Sequence, residues 1–201
     1  MIQLENLSKN YGNKRIYSQV NLVFEANKSY ALIGPSGSGK TTLLNAIARL
    51  EKPNNGKVLL NNQDIWAMKE RDYFKNYLGY VFQNYALVEE ETVWDNLKML
   101  AGKAEVTATL MKVGLDESFL NSKIYELSGG QAQRVSVARL LLKKAKIILA
   151  DEPTGALDRQ TGQAIIELLL SLVAPDTVVI FATHDPNVFK QVDIIIDVTQ
   201  I

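Results

Sequence analysis

Eight residues between an apolar segment and a helical pattern constrain this chain more than any other feature of its sequence. The run Gly34-Pro35-Ser36-Gly37-Ser38-Gly39-Lys40-Thr41 fits the pattern G-x-x-x-x-G-K-[ST]. Segment 29–33, directly before it, is an apolar run of strand length, and apolar residues recur on one helical stripe over 40–50. A strand that leads into such a loop and a helix that leaves it indicate an α/β fold.

The residue types of this loop suit a phosphate group and a magnesium ion. Glycines allow backbone N–H groups to turn inward around an anion, and a helix that begins at Lys40 adds the positive end of its dipole. Lys40 places a charge against the outer phosphates, the Thr41 hydroxyl suits Mg²⁺, and Thr42 joins the nucleotide-binding set. The motif therefore predicts ATP and Mg²⁺ as ligands, but by itself leaves a kinase, a switch or a motor open.

Strand-like and helix-like segments alternate along much of the chain. Segment 19–24 alternates polar and apolar residues, as a half-buried strand does. Later segments of strand (147–150, 178–181, 192–198) and helix (131–144, 160–172) character follow one another. Such alternation predicts a parallel sheet that is covered on both faces.

A stretch of different character interrupts this alternation. From Thr92 to about Tyr125 helical periodicity dominates, which we interpret as part of a small helical insert covering about 84–145. The 201 residues suffice for one domain with a sizeable core, and we expect a single domain over 1–201.

Composition excludes several kinds of protein. The 22 Lys and Arg residues balance 22 Asp and Glu residues, for a formal net charge of zero, so we expect no nucleic-acid partner. The absence of cysteine excludes disulfides, thiolate metal sites and a cysteine nucleophile. No segment reaches the ~18 apolar residues that span a bilayer, so we expect a cytoplasmic chain that reaches a membrane only by docking on another protein.

Two carboxylates follow the apolar segment 147–150. Ligands bind at the carboxyl ends of parallel strands, which puts Asp151 and Glu152 near the phosphate loop. Adjacent residues of a strand point to opposite faces, so we expect the two carboxylates to have different tasks. We assign Asp151 to the magnesium shell and Glu152 to the attacking water, as the general base.

A second glycine motif, Leu127-Ser128-Gly129-Gly130-Gln131, precedes the helical segment 131–144, and Ser128 is a candidate N-cap. Its N–H groups and its serine hydroxyl are suited to form a second phosphate-binding site. This motif resembles the signature of ATP-binding-cassette (ABC) ATPases, and the remaining family landmarks appear in order. They are Tyr11 as the adenine-stacking aromatic, Gln83 as the Q-loop glutamine, Ala156-Leu157-Asp158 as the D-loop, and His184 as the switch histidine.

The resemblance covers the chain from Met1 to about Val198 and implies both a fold and a site. The implied fold is a P-loop NTPase with a mostly parallel sheet, an N-terminal antiparallel β subdomain and a small helical insert. Two cassettes would pack head to tail, with ATP between the phosphate loop of one and Ser128-Gly129-Gly130-Gln131 of the other. Gln83 would contact Mg²⁺ or the attacking water, His184 the γ-phosphate, and Asp158 the dimer contact.

The resemblance further implies a transmembrane permease subunit as partner, and a location on the inner face of the cell membrane. The chain looks most like the lipoprotein-releasing and macrolide-export group and the short bacteriocin-export cassettes, which points to an exporter or a mechanical device. A soluble ABC-type ATPase acting on DNA or ribosomes is the alternative, although such members carry a long coiled-coil insert or two cassettes. An unrelated P-loop kinase would have no use for the second glycine motif.

Overall fold

Two sheets organise the chain, which is described over residues 1–201 by a computed structural model. The strands are β1 (Ile2–Tyr11), β2 (Lys14–Phe24), β3 (Lys28–Ile33), β4 (Asn55–Leu60), β5 (Gln63–Asp64), β6 (Leu78–Val81), β7 (Ile147–Asp151), β8 (Val178–Ala182) and β9 (Ile194–Asp197). The helices are α1 (Lys40–Ile47), α2 (Glu70–Asn76), α3 (Val93–Leu97), α4 (Lys103–Lys112), α5 (Gly129–Lys143), α6 (Arg159–Leu170) and α7 (Pro186–Phe189). One sheet is antiparallel, in the order β2-β1-β4-β5, and the other is parallel, in the order β6-β7-β8-β3-β9.

The register of the parallel sheet brings three loops to one edge. Ala182, the last residue of β8, lies opposite both Leu32 of β3 and Asp151 of β7. The phosphate loop that follows β3, the acidic turn after β7 and the segment after β8 therefore start side by side. This alignment places residues that are far apart in sequence around one site.

Residues of the central strands β7 and β8 alternate between two hydrophobic cores, as the side-chain period of two requires. Ile147 and Leu149 of β7 lie in a core of 25 buried residues shared with the antiparallel sheet and α1. Ile148 and Ala150 lie in a second core of 23 buried residues, to which α4, α5 and α6 contribute. The predicted parallel sheet with both faces covered is confirmed.

The region predicted to be helical is less regular than its periodicity suggested. It contains α3 with five residues and α4 with ten, followed by short 3₁₀ segments at Glu117–Asn121 and Ile124–Glu126. The apolar residues of this region pack onto α5, mainly through α4. No helix of the chain is both long and apolar enough to cross a bilayer.

Candidate functional site

A cavity of about 630 Å³ opens at the edge of the parallel sheet where these loops meet. Most of the residues predicted for nucleotide, magnesium and catalysis line it together. The lining residues are Tyr11, Lys14, Ile16, Pro35, Ser36, Gly37, Gly39, Lys40, Thr41, Thr42, Gln83, Asp151, Glu152 and His184. Gly34 and Ser38 belong to the same loop but do not line the cavity, whereas Ser128–Gln131 and Asp158 lie elsewhere.

Backbone geometry at the phosphate loop requires glycine. Gly39 has φ +100°, and a Cβ at this position would lie 2.8 Å from Cγ2 of Ile16. Gly34 has φ +145°, and a Cβ there would lie 2.8 Å from Oγ of Ser38. Only glycine adopts such φ values without strain, so these two residues allow the chain to turn tightly between β3 and α1.

Lys40 is held inside the loop that it is expected to serve. Its Nζ donates hydrogen bonds to the carbonyl oxygens of Gly34 at 2.8 Å and Pro35 at 3.2 Å. Only 8% of the residue is exposed. An ammonium group that faces carbonyl oxygens at the mouth of an anion cradle is placed to exchange those oxygens for phosphate oxygens.

Oxygen donors suited to magnesium converge below the loop. Asp151 is buried, and it lines the cavity together with Thr41. Burial raises the pKa of Asp151, while the Thr41 hydroxyl and the nearby charge of Lys40 counteract the rise. Gln83 adds an amide oxygen at the wall of the same cavity. Carboxylate, hydroxyl and amide oxygens are ligands that Mg²⁺ accepts, so these residues fit the predicted ion.

Glu152 lines this cavity because the chain turns directly after β7. Strand β7 ends at Asp151, and Glu152 has φ +44°, in the left-handed region. We expected the two carboxylates to point to opposite faces, but both line one cavity. The expectation was wrong because it treated Glu152 as a strand residue, whereas the chain already turns there.

Two residues after β8 hold the Glu152 carboxylate. Thr183 Oγ1 donates to Oε2 at 3.2 Å, and His184 Nδ1 lies 2.7 Å from Oε1. The His184 side chain is largely exposed, which leaves its Nε2 as the ring nitrogen for a phosphate oxygen. Thr183 was not predicted, because a threonine between a strand and a histidine carries no signal until the register of β7 and β8 is known.

Tyr11 lies at the end of β1, at the rim of the cavity. It is 48% exposed and lines the cavity, so its side chain is accessible to a bound ligand. Lys14 and Ile16 of β2 line the cavity beside it. The antiparallel sheet therefore supplies an aromatic and an aliphatic surface next to the polar loop, as a nucleotide base requires.

The second glycine motif forms the start of α5, and none of its residues lines this cavity. Ser128 and Gln131 form a capping box, in which Ser128 Oγ accepts from the Gln131 N–H and Gln131 Oε1 accepts from the Ser128 N–H. The predicted N-cap is thus confirmed. A Cβ on Gly129 would lie 2.9 Å from the Tyr85 hydroxyl, and one on Gly130 would lie 3.1 Å from the Ala156 carbonyl oxygen. The motif packs against the turn that precedes Asp158.

Asp158 has a structural partner within its own chain. Its Oδ1 accepts hydrogen bonds from the backbone N–H groups of Gln160 and Thr161, both at 3.0 Å, and so caps α6. The Thr161 side chain, followed by its backbone bond, lowers the pKa of the Asp158 carboxyl. This cap holds the turn between Glu152 and α6 in a defined position.

Known proteins match this chain over almost its whole length. The family model described as ABC transporter matches residues 17–155. A macrolide export ATP-binding/permease protein, MacB, of Vibrio parahaemolyticus is 36% identical over 98% of this chain and 33% of its own length. An uncharacterised ABC transporter ATP-binding protein of Methanocaldococcus jannaschii, MJ0796, is 38% identical over 94% of this chain and 89% of its own length.

A solved structure agrees with the sequence comparisons. The dimeric post-hydrolysis structure of the cassette MJ0796 bound to ADP and Pi has a TM-score of 0.89 and 34% identity, and covers 98% of this chain and 95% of that one. The chain spans about a third of the length of MacB, 33%. The family match favours a transport cassette over a DNA- or ribosome-directed ATPase and over an unrelated kinase. Motif order, sheet topology and these matches together show that the chain belongs to the ABC transporter family as an ATP-binding cassette.

Proposed function

We propose that this chain hydrolyses ATP in the cavity at the edge of the parallel sheet, with Mg²⁺, as the nucleotide-binding subunit of a membrane transporter. The observation that carries the proposal is the placement of Glu152. A carboxylate held between Thr183 and His184 faces the same cavity as Lys40 and Thr41. A general base, a cationic phosphate ligand and a hydroxyl are therefore in one site, which is the set that phosphoryl transfer to water needs.

The chemistry follows from the residues that line the cavity. Glu152 accepts the proton of the water that attacks the γ-phosphate, and Thr183 and His184 orient the carboxylate for that transfer. Lys40 and the loop N–H groups stabilise the charge on the phosphate oxygens. His184, with a proton on both ring nitrogens, donates from Nδ1 to Glu152 and from Nε2 to the γ-phosphate, and Gln83 contacts Mg²⁺ or the attacking water. Thr41, Asp151 and Gln83 would hold Mg²⁺, which would supply positive charge that stabilises the phosphate oxygens.

A second copy of the chain completes the site. Ser128–Gln131 do not line the cavity that contains the phosphate loop, so we assign their N–H groups to a nucleotide other than the one held by their own chain. A head-to-tail homodimer brings them to the nucleotide of the partner, with Asp158 at the contact between the subunits. The dimeric structures of MJ0796 support this arrangement.

The transport role rests on the relatives. The name of MacB joins an ATP-binding part and a permease part, and this chain matches the part that contains the cassette. We propose a transmembrane permease partner, a position at the inner face of the cell membrane, and an exporter or mechanotransmission type. We also propose one ABC domain over 1–201, with residues 84–145 as its helical insert.

Substitution of Glu152 tests the hydrolysis proposal. Glu152→Gln keeps the size and the hydrogen-bond acceptor but removes the base, so turnover should fall by at least ~10², while ATP binding is retained. The variant should also elute as a dimer in size-exclusion chromatography when ATP is present. Without hydrolysis, the ATP that holds the two subunits together is not removed.

Glu117→Gln is the matched control. Glu117 is an exposed glutamate in the 3₁₀ segment after α4, so its substitution should leave turnover and elution unchanged. Phosphate release is measured for both variants at saturating ATP. Wild-type turnover by Glu152→Gln would show that another group acts as the base, and no turnover by the wild-type chain, alone or with a membrane partner, would overturn the proposal.

A further inference from the structure

We propose that Lys9 and Glu51 are positioning residues that hold the ring of Tyr11 against the base of the nucleotide. The inference rests on the proposed binding of ATP in the cavity, and it adds two residues that no family landmark includes. Both lie outside the lining of the cavity, so they act on the nucleotide through Tyr11.

The ammonium group of Lys9 lies under the Tyr11 ring. Its Nζ is 5.1 Å from the ring centroid, within the range of a cation–π contact. Two acceptors fix that nitrogen: Glu51 Oε1 at 2.9 Å and the Lys52 carbonyl oxygen at 2.9 Å. The ring therefore contacts a fixed cation, and it is also 48% exposed and lines the cavity.

Burial distinguishes this cluster from an ordinary surface ion pair. The side chains of Lys9 and Glu51 are only 12% and 23% exposed, although lysine and glutamate pairs are usually solvated. Lys9 also faces Tyr17 across the β1–β2 pair, and the Tyr17 hydroxyl is buried without a hydrogen-bond partner. Water alone does not stabilise a charge pair that is this far buried. We therefore infer that the pair serves to hold the neighbouring aromatic ring in place.

The same carboxylate connects the ring to the helix that starts at the phosphate loop. Glu51 follows the end of α1, and its backbone N–H donates to the Asn45 carbonyl oxygen of that helix at 3.2 Å. Burial, together with the influence of the nearby Glu51 carboxylate, raises the pKa of the Tyr11 hydroxyl. The Lys9–Glu51 pair therefore joins the antiparallel sheet, which holds the base site, to α1, which holds the phosphate site.

Fixing the ring before the nucleotide arrives reduces the ordering that binding requires. We expect Lys9 and Glu51 to contribute only to the affinity for the base, because the phosphate loop keeps its own contacts with the phosphates. ATP and inorganic tripolyphosphate separate these two parts, since tripolyphosphate has the phosphates and no base.

Calorimetric titration with both ligands, with magnesium chelated to prevent turnover, tests the proposal. Lys9→Met retains the stem and removes the charge, and Glu51→Gln releases the Lys9 ammonium. Each should weaken ATP binding about 3- to 30-fold and leave tripolyphosphate binding unchanged. Lys9→Arg, which keeps a cation over the ring, should restore most of the affinity for ATP.

A double substitution excludes a merely structural role. In a Tyr11→Leu background the ring is absent, so Lys9→Met should cause no further loss of ATP affinity. Equal weakening of ATP and tripolyphosphate would show that the pair supports the loop rather than the ring, and unchanged ATP affinity in both Lys9→Met and Glu51→Gln would overturn the proposal. A wild-type chain that binds tripolyphosphate but not ATP would instead refute the proposed nucleotide site.

Discussion

At the scale of single residues, the site depends on backbone conformations that few residue types adopt. Gly34, Gly37 and Gly39 all have positive φ in the phosphate loop, and Glu152 has φ +44° at the end of β7. For a glutamate this conformation is costly, by about 1–3 kcal/mol. The hydrogen bonds from Thr183 and His184 offset part of that cost and give the carboxylate one direction.

Gly39→Ala is expected to disrupt the loop. The added Cβ would lie 2.8 Å from Ile16 at φ +100°, so the variant should lose about 1–3 kcal/mol of stability and bind ATP weakly. Gly102→Ala is the matched control, because Gly102 has φ −70° and no atom lies within 4 Å of its added Cβ. Urea unfolding and ATP titration measure both variants. A stable Gly39→Ala with wild-type affinity would contradict the need for glycine at this position.

At the scale of elements, one arginine of α5 connects the segment after Gln83 to the helix that the second glycine motif begins. The Arg139 guanidinium donates to the carbonyl oxygens of Tyr85, at 2.9 Å, and Ala86. Both acceptor residues have positive φ, +59° and +50°. Burial lowers the pKa of Arg139. Because Tyr85 also lies against Gly129, this contact links the segment after Gln83 to the second glycine motif.

Removal of that guanidinium should loosen the segment after Gln83. Arg139→Met leaves the strained residues Tyr85 and Ala86 without their side-chain donor, so amide hydrogen exchange over residues 83–87 should become at least ~5-fold faster. Arg134→Met is the control on the same helix, since Arg134 bonds to Gly114 and Gly130 instead. Equal exchange over 83–87 in wild type and Arg139→Met would show that other contacts hold this segment.

At the scale of the whole molecule, the separation of the two glycine motifs predicts shared sites. Lys40→Ala should abolish binding by the phosphate loop, and Ser128→Arg should abolish hydrolysis while ATP binding is retained. A mixed dimer of the two variants has one intact composite site, which combines the Lys40 of one chain with the Ser128 of the other. Mixing the two inactive proteins should therefore restore hydrolysis.

The mixing experiment has an internal comparison. Each variant mixed with itself contains no intact composite site and should stay inactive at the same total concentration. Restoration that rises with concentration would indicate exchange of subunits. No restoration, under conditions in which wild-type subunits exchange, would show that the two motifs do not form shared sites.

Local patterns in the sequence were sufficient for much of the fold. The glycine loop, the apolar strand before it and the alternation after residue 131 predict the parallel sheet, because strand and helix periodicity depend on neighbours along the chain. Boundaries were less accurate. The helix predicted over 40–50 ends at Ile47 as α1, since Arg49 adopts φ +59°, and the long strands β1 and β2 were recognised only in part because their exposed residues obscure the alternation.

Short runs of residues were enough to identify the family, the phosphate loop, the two carboxylates and the second glycine motif, since the residue types of each run carry its chemistry. The residues that surround those groups were known only from the fold. Thr183 lies 31 residues from its partner Glu152, and Arg139 lies 54 residues from its partner Tyr85. Lys9 lies 42 residues from its partner Glu51. Such contacts depend on strand register and helix packing, which bring distant residues together and which no local pattern records.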